Sequence, residues 1–236
     1  MLKVDLHTHS IASGHAFNTI YEMVSEAKER GIKLIGMTEH GPAMGGAPYP
    51  GYFSMSDEID ELYGVKVLLG IEANILSKEG KIDLSDELLK KQGIVLAGLH
   101  SRTPYQNNSL ENNTLATINA MRNPLVQIIS HPYHVKFPVD IKKVFDEATQ
   151  TKTLLELNNR RFYYEASNES FLNAYRELVE YSKKYGYPLI IGSDAHVAKK
   201  IGEDSSVMAV SNQIGLTSDI LLNSNPEELT KWMKKK

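Results

Sequence analysis

The sequence contains no cysteine, and this absence excludes several kinds of site at once. A chain without thiols has no disulfide framework, no thiolate zinc site and no cysteine nucleophile. Any metal ion that this protein binds must therefore be held by histidine, aspartate or glutamate.

The chain also lacks a large excess of charge and a long apolar run. Its 26 basic and 29 acidic side chains leave a formal charge of -3, which gives no field that attracts nucleic acid. No apolar run approaches the roughly 20 residues that span a bilayer, and residues 1–5 carry charges where a signal peptide needs apolar side chains. We therefore expect a cytoplasmic protein that binds neither membranes nor nucleic acid.

Seven short segments rich in leucine or β-branched residues predict strands, separated by segments with helical spacing. The predicted strands cover residues 3–9, 33–40, 65–75, 94–101, 126–131, 153–159 and 189–196. The predicted helices cover residues 20–30, 110–121, 141–149 and 171–185, with a last helix that begins after Asn225.

Strands that alternate with helices predict a parallel sheet with right-handed crossovers. A closed or nearly closed barrel is favoured over an open sheet because no glycine-rich phosphate-binding motif follows any strand. We expect one α/β domain over residues 1–236. The Gly- and Pro-rich segment 41–53 is predicted to contain no helix or strand and to form either a mobile lid or a surface connection.

Histidines follow the predicted strands with a regular placement. Six of them lie at or just beyond the C-terminal end of a strand: His7, His9, His40, His100, His131 and His196. In a parallel barrel these ends meet on one side, where the following loops build the active site. The six imidazoles are therefore expected to converge.

Side-chain alternation along a strand refines this expectation, because residues two apart share a face. His7 and His9 should point together into the convergent site. Val4 and Leu6 should then take the opposite, helix-facing side.

Two carboxylates complete the predicted cluster. Asp194 has the same parity as His196, and Glu72 lies near the end of the third strand, where a carboxylate can bridge two ions. With His15 from the loop after the first strand, the nine groups are too many for one ion. The sequence therefore predicts two or three divalent ions. Zinc, manganese and iron all accept such ligands.

Six motifs occur in order along the chain: Asp5-Leu6-His7-Thr8-His9-Ser10, Thr38-Glu39-His40-Gly41-Pro42, Gly70-Ile71-Glu72-Ala73-Asn74, Ala97-Gly98-Leu99-His100, Ile129-Ser130-His131-Pro132 and Gly192-Ser193-Asp194-Ala195-His196. Together they resemble the PHP family, named for polymerases and histidinol phosphatases, and most of all its stand-alone zinc-dependent phosphatase-like members. The resemblance implies a distorted, TIM-like barrel of seven β/α units, three divalent ions with zinc foremost, and phosphoesterase activity.

Carried over motif by motif, the resemblance also implies three ligand sets. The first is His7, His9, Glu72 and Asp194, which would hold the nucleophilic water; the second is Glu72, His100 and His131; the third is His15, His40 and His196. The family has aspartate where this chain has Glu39, and the longer acid still permits a role behind the ligands, orienting a histidine.

Basic and aromatic side chains on the same loops are candidates to bind substrate. Arginine binds phosphate bidentately, and the candidates are Arg102, Arg160 and Arg161, with Lys199 and Lys200. Tyr105, Tyr163 and Tyr164 are predicted either to stack on an organic leaving group or to pack against the loops. His134 matches no ligand position and is assigned to the loop surface or to substrate contact.

The expected function is hydrolysis of a small-molecule phosphate monoester by a metal-bound water, because an electropositive centre complements the phosphate dianion. Three alternatives stay open: a PHP-type nuclease or phosphodiesterase, an amidohydrolase-like C–N hydrolase, and a metal-binding module without catalysis. The net charge weighs against the nuclease, and the C–N hydrolase would need a bridging lysine that the strand ends lack.

Overall fold

A computed structural model of the chain describes residues 2–106 and 109–233. Its strands are β1 (Val4–Thr8), β2 (Leu34–His40), β3 (Glu61–Leu62), β4 (Val65–Asn74), β5 (Ile94–Gly98), β6 (Ile128–Ile129), β7 (Leu154–Asn158) and β8 (Ile190–Gly192). Seven of them pair in parallel in the order β1-β2-β4-β5-β6-β7-β8, and the short β3 pairs antiparallel with β4. All seven predicted strands are present, and the prediction of a nearly closed α/β barrel is confirmed.

The gap between β1 and β8 is closed by a few specific hydrogen bonds. The amide of His9 donates to the carbonyl of Ala195, and the amide of Asp194 donates to the carbonyl of His7, each at 2.9 Å. Below them, the buried side chain of Asn223 donates to the carbonyls of Val4 (2.9 Å) and Ile191 (2.7 Å). The first and last parallel strands are thus joined without a continuous ladder.

Helices cover the outside of the sheet. They are α1 (Ile20–Glu29), α2 (Asp86–Leu89), α3 (Leu110–Met121), α4 (Ile141–Thr151), α5 (Asn159–Glu165), α6 (Glu169–Tyr185), α7 (Ser205–Ala209), α8 (Ser211–Ile214) and α9 (Pro226–Met233). Each predicted helix is confirmed, whereas the short α2, α5, α7 and α8 were not predicted. Within the described ranges, no helix combines the length and the apolar character needed to cross a bilayer.

The connection from β2 to β4 departs from the β/α pattern. Between the two strands lie a 3-10 helix, Pro50–Met55, and strand β3, but no α-helix. The prediction that segment 41–53 contains no helix was therefore wrong, because Pro50 begins a helical turn whose Phe53 is buried in the core.

An irregularity in β1 places neighbouring side chains of both parities inside the barrel. Val4 and Leu6 belong to a cluster that contains Leu34, Leu96 and other residues from strands all around the barrel, so they fill its interior. The prediction that they face the helices was wrong. The pairing of β1 with β2 shifts register between Asp5 and Thr8, and this bulge turns the histidine that follows Leu6 inward as well.

Replacing Asn223 with leucine tests how the barrel is closed. The amide of Ile191 donates to Asn223 Oδ1 at 2.7 Å, so the change leaves this buried donor and two carbonyls unpaired. We expect the free energy of unfolding to fall by about 2–4 kcal/mol. Denaturant unfolding measures this loss, and the same change at the exposed Asn212 of α8 is the control. An equal, small effect at both positions would contradict the role of Asn223.

Candidate metal centre

The nine predicted ligands come together at the C-terminal ends of the strands. All are buried except His15, which lies exposed on the loop after β1. A bowl of about 590 Å³ opens above them, and its lining includes His15, His40, Glu72, His100, His131, Asp194 and His196. His7 and His9 lie beneath this lining, 1% and 0% exposed.

Glu72 lies between two groups of imidazoles. Its Oε1 is 2.9 Å from Nε2 of His100 and 3.0 Å from Nε2 of His131. Its Oε2 is 3.2 Å from Nε2 of His7 and 3.5 Å from Nε2 of His9. The two oxygens of one carboxylate thus face different sets of nitrogen atoms, which is the arrangement of a bridging ligand.

Asp194 completes the first of these groups. Its Oδ1 is 3.5 Å from Nε2 of His9 and 3.9 Å from Nε2 of His7. Together with Glu72 Oε2, two nitrogens and two oxygens surround one point, which is the four-ligand environment that zinc favours.

Three further imidazoles, those of His15, His40 and His196, lie beside the first group, with His9 close to both His40 and His196. Nε2 of His15 is 3.2 Å from Nε2 of His40 and 3.1 Å from Nε2 of His196. Ligands of a tetrahedral zinc ion at about 2.0–2.1 Å lie about 3.3 Å apart, so the spacing from His15 to each of the other two rings fits a shared ion. The groups also touch, since Nδ1 of His40 is 2.9 Å from Glu72 Oε2, and ligand-capable atoms of His40, Glu72 and His100 lie within 4.8 Å of one another.

Hydrogen bonds behind the first group fix which ring nitrogen carries the proton. Nδ1–H of His7 donates to Glu156 Oε1 at 2.7 Å, since a carboxylate can only accept. Nδ1–H of His9 donates to Ser13 Oγ at 3.0 Å, because the hydroxyl of Ser13 itself donates to Glu39. In the neutral rings that metal binding requires, each Nε2 therefore presents a lone pair to the bowl, and such partners orient histidines at metal sites.

Those lone pairs give a test of whether the residues fit metal ions. Nε2 of His7 and Nε2 of His9 are buried and have no hydrogen-bond partner. Nδ1–H of His196 donates to the backbone carbonyl of Asp194 at 3.0 Å, which leaves its Nε2 as a lone pair beside His15. Buried acceptors without donors are costly, and divalent cations would satisfy them. The donor set therefore fits divalent ions.

The electrostatics of the cluster favour metal binding, which requires neutral imidazoles. Burial and the neighbouring His40 and His196 hold the pKa of His9 well below its ordinary value, and the same causes lower the pKa of His15 to about 4. Burial raises the pKa of Glu72, but the imidazoles of His7 and His100 outweigh it and keep the carboxylate ionised.

His7 behaves in the opposite way. Burial lowers its pKa, but the carboxylates of Glu156, Glu72 and Asp194 outweigh burial and raise it well above the ordinary value. Three carboxylates around one ring thus favour a positive charge at this point, which either a proton or a metal ion supplies.

Glu156 and Asn158 are site residues that the sequence reasoning missed. Glu156 Oε2 accepts from the amide of His131 at 2.8 Å and from Asn158 Nδ2 at 2.9 Å, and both side chains are buried. The available signal was alternation, because Leu154, Glu156 and Asn158 share one face of a buried strand.

Glu39 lies behind the ligands, as the longer acid permits. It accepts from the hydroxyl and amide of Ser10 and from the hydroxyl of Ser13. Through Ser13 it reaches His9 Nδ1, and Ser13 Oγ also accepts from the amide of His40 at 3.1 Å.

The predicted substrate-binding residues divide between two cavities. Arg102, Arg160 and Arg161 line the bowl. Lys200, Tyr163 and Tyr164 line an adjoining cavity, which also includes Arg160. Lys199 lines neither cavity, so the structure does not support the prediction that it binds substrate.

The structure also decides between the alternatives predicted for Tyr105 and His134. Tyr105 is buried and its hydroxyl donates to Asn113 Oδ1 at 2.9 Å, so it packs and does not stack on a ligand. His134 is only 7% exposed, which excludes a surface position. It lines the bowl, and its Nδ1 accepts from the amide of Lys136 at 2.9 Å.

A parallel barrel that carries a cluster of histidines and carboxylates at its strand ends is typical of metal-binding α/β-barrel proteins. The sequence pattern of the PHP domain matches residues 5–204, and the chain belongs to this family. It is 38% identical to a probable phosphatase of Acetivibrio thermocellus, over 99% of this chain and 95% of that protein. A probable phosphatase of a Thermoanaerobacter species is 39% identical, over 100% of this chain and 96% of that protein.

Solved structures share the fold. A histidinol phosphate phosphatase of Lactococcus lactis, crystallised with zinc, L-histidinol and phosphate, has a TM-score of 0.59 at 17% identity and covers 91% of this chain and 94% of that one. A putative histidinol phosphatase of Listeria monocytogenes has a TM-score of 0.61 at 17% identity, covering 87% and 99%. At this identity, the likeness concerns the barrel alone.

Replacing Glu156 with glutamine tests the support behind His7. The glutamine side chain can either donate to Nδ1 of His7 or accept from it, so the proton is no longer held at Nδ1 and the lone pair at Nε2 is less well fixed. We expect metal affinity to fall about 10–100-fold. Titration of the metal-depleted protein with zinc measures this, with Glu180→Gln on the exposed face of α6 as the control. Unchanged affinity in the Glu156 variant would show that His7 does not need this partner.

Proposed function

We propose that this protein is a metal-dependent phosphatase that hydrolyses small-molecule phosphate monoesters at a centre of three divalent ions, with zinc the foremost candidate. The observation that carries the proposal is the position of Glu72, whose two oxygens face separate sets of imidazole nitrogens. A third set, formed by His15, His40 and His196, stands beside them.

These contacts support the ligand assignment that the family resemblance implies. His7, His9, Glu72 and Asp194 would hold the first ion, Glu72 with His100 and His131 the second, and His15 with His40 and His196 the third. When bound, the ions supply an activated water and neutralise charge on the phosphoryl oxygens.

The chain's own residues would position the substrate. Arg102 and Arg161 line the bowl, where a guanidinium can bind a phosphoryl group through two nitrogens. Arg161 Nη1 lies 3.7 Å from Glu165 Oε1, which limits the directions in which the guanidinium can point. The bowl's volume of about 590 Å³ lies in the range typical of small-molecule sites, which favours a small ester over a polymer.

The rival reaction classes have less support. A C–N hydrolase of the amidohydrolase type would bridge its ions with a carboxylated lysine, whereas here the position between the imidazole sets is taken by the carboxylate of Glu72. The curated relatives named above are described as probable phosphatases, which favours phosphoric esters.

Metal content and substrate class can be tested together. We expect the purified protein to contain two to three zinc, manganese or iron ions per chain by mass spectrometry. It should hydrolyse p-nitrophenyl phosphate faster than bis-p-nitrophenyl phosphate and should not cleave an anilide. Faster cleavage of the diester would favour a phosphodiesterase, and full activity after chelation would refute the metal-dependent mechanism.

Replacing Glu72 with glutamine tests the proposed bridge. The amide keeps the shape of the side chain but removes the negative charge shared by two ion sites, so we expect the loss of more than one ion per chain. His15→Asn is the matched comparison, because His15 contacts only the third set and should cost one ion. If both variants lost a single ion, the carboxylate would not bridge.

A further inference from the structure

A second cavity, of about 340 Å³, opens beside the bowl. The two cavities share part of their walls, because Arg160, Tyr164 and Asp194 line both. The volume of the second cavity is within the range of small-molecule sites. A phosphate monoester whose phosphoryl group lies in the bowl would therefore find space next to Asp194 for its alcohol portion.

The acidic side chains of this second cavity are already engaged. Glu203 Oε1 accepts from Arg30 Nη1 at 3.1 Å, and its Oε2 accepts from Ser205 Oγ at 3.0 Å. Asp194 faces the histidine cluster, with His196 Nδ1 at 3.2 Å from its Oδ1. Neither carboxylate is left to balance a further cation on the cavity wall.

The basic side chains, by contrast, are not engaged by acids. Within the described residues, neither Arg160 nor Lys200 forms an ion pair, although both line the cavity. The guanidinium of Arg160 lies 6.0 Å from the centre of the Tyr164 ring, an attraction that leaves its N–H groups available to a ligand. The cavity therefore carries uncompensated positive charge.

Aromatic surface lies beside these cations. Tyr163 and Tyr164 are 73% and 61% exposed, and their rings meet edge to face at 5.0 Å. Large exposed rings next to a cavity provide apolar contact for the carbon skeleton of a ligand. Positive charge and ring surface together match an organic anion better than a neutral alcohol.

We propose that the second cavity is the leaving-group subsite and that it takes an alcohol bearing a second anionic group, either a carboxylate or a phosphate. Arg160 and Lys200 would bind that group, and the rings of Tyr163 and Tyr164 would contact the chain that connects it to the scissile phosphate. This inference rests on the proposed phosphatase function, which it makes more specific.

Non-hydrolysable phosphonates of matched length test the subsite in the zinc-loaded protein. Propylphosphonate carries one acidic group, 3-phosphonopropionate adds a carboxylate, and propane-1,3-diphosphonate adds a second phosphonate. Calorimetric titration should show that at least one of the two compounds with a second acidic group binds about tenfold more tightly than propylphosphonate, the effect of a charge-assisted contact. The tighter of the two identifies the preferred anionic group.

Two lysine variants test whether this binding preference arises in the second cavity. Lys200→Gln should reduce the preference for the compound with the second acidic group roughly tenfold. Lys199→Gln, the neighbouring exposed lysine that lines neither cavity, should leave the preference unchanged.

The two proposals fail in different ways. Equal affinity for all three phosphonates, or an equal preference in Lys200→Gln and in the wild-type protein, would overturn the subsite while leaving phosphatase activity intact. A protein that binds none of the phosphonates and cleaves no phosphate ester would instead contradict the proposed function.

Discussion

The burial of Glu72 is the constraint on which the rest of the site depends. The side chain is 1% exposed at the end of β4, where an isolated carboxylate would be strongly destabilising. It remains ionised only because imidazoles surround it, and those rings are themselves buried. Such a group of charges is stable when cations complete it, so the barrel end is organised around holding positive charge.

A further ring of residues keeps the imidazoles in place. Glu156 orients His7 and also binds the amide of His131, while Glu39 orients His9 through Ser13. These contacts are as buried as the nitrogens that they orient. The metal-facing nitrogens are therefore prepared by the fold, which reduces the reorganisation that binding an ion would require.

Sequence reasoning located the cluster because a titratable residue at the end of an apolar strand is a strong signal. His100 and Glu72 follow largely apolar runs, and parallel strands bring such ends together. The β2–β4 connection was less predictable. There the turn at Pro50 is stabilised by burial of Phe53 in the core, a tertiary contact that glycine and proline content does not reveal.

Strict alternation also failed in β1 and just beyond the end of β6, and both failures lie in the site itself. Leu6 faces the barrel interior, yet the bulge turns the next residue, His7, inward too. Ile129 packs towards the helices, and alternation would send His131 the same way, but its left-handed backbone (φ 33°) directs the ring to Glu72. Such a conformation is costly without glycine, and the bond from the His131 amide to Glu156 helps to offset it. The backbone departs from regular geometry where the cluster needs inward-facing imidazoles that alternation does not provide.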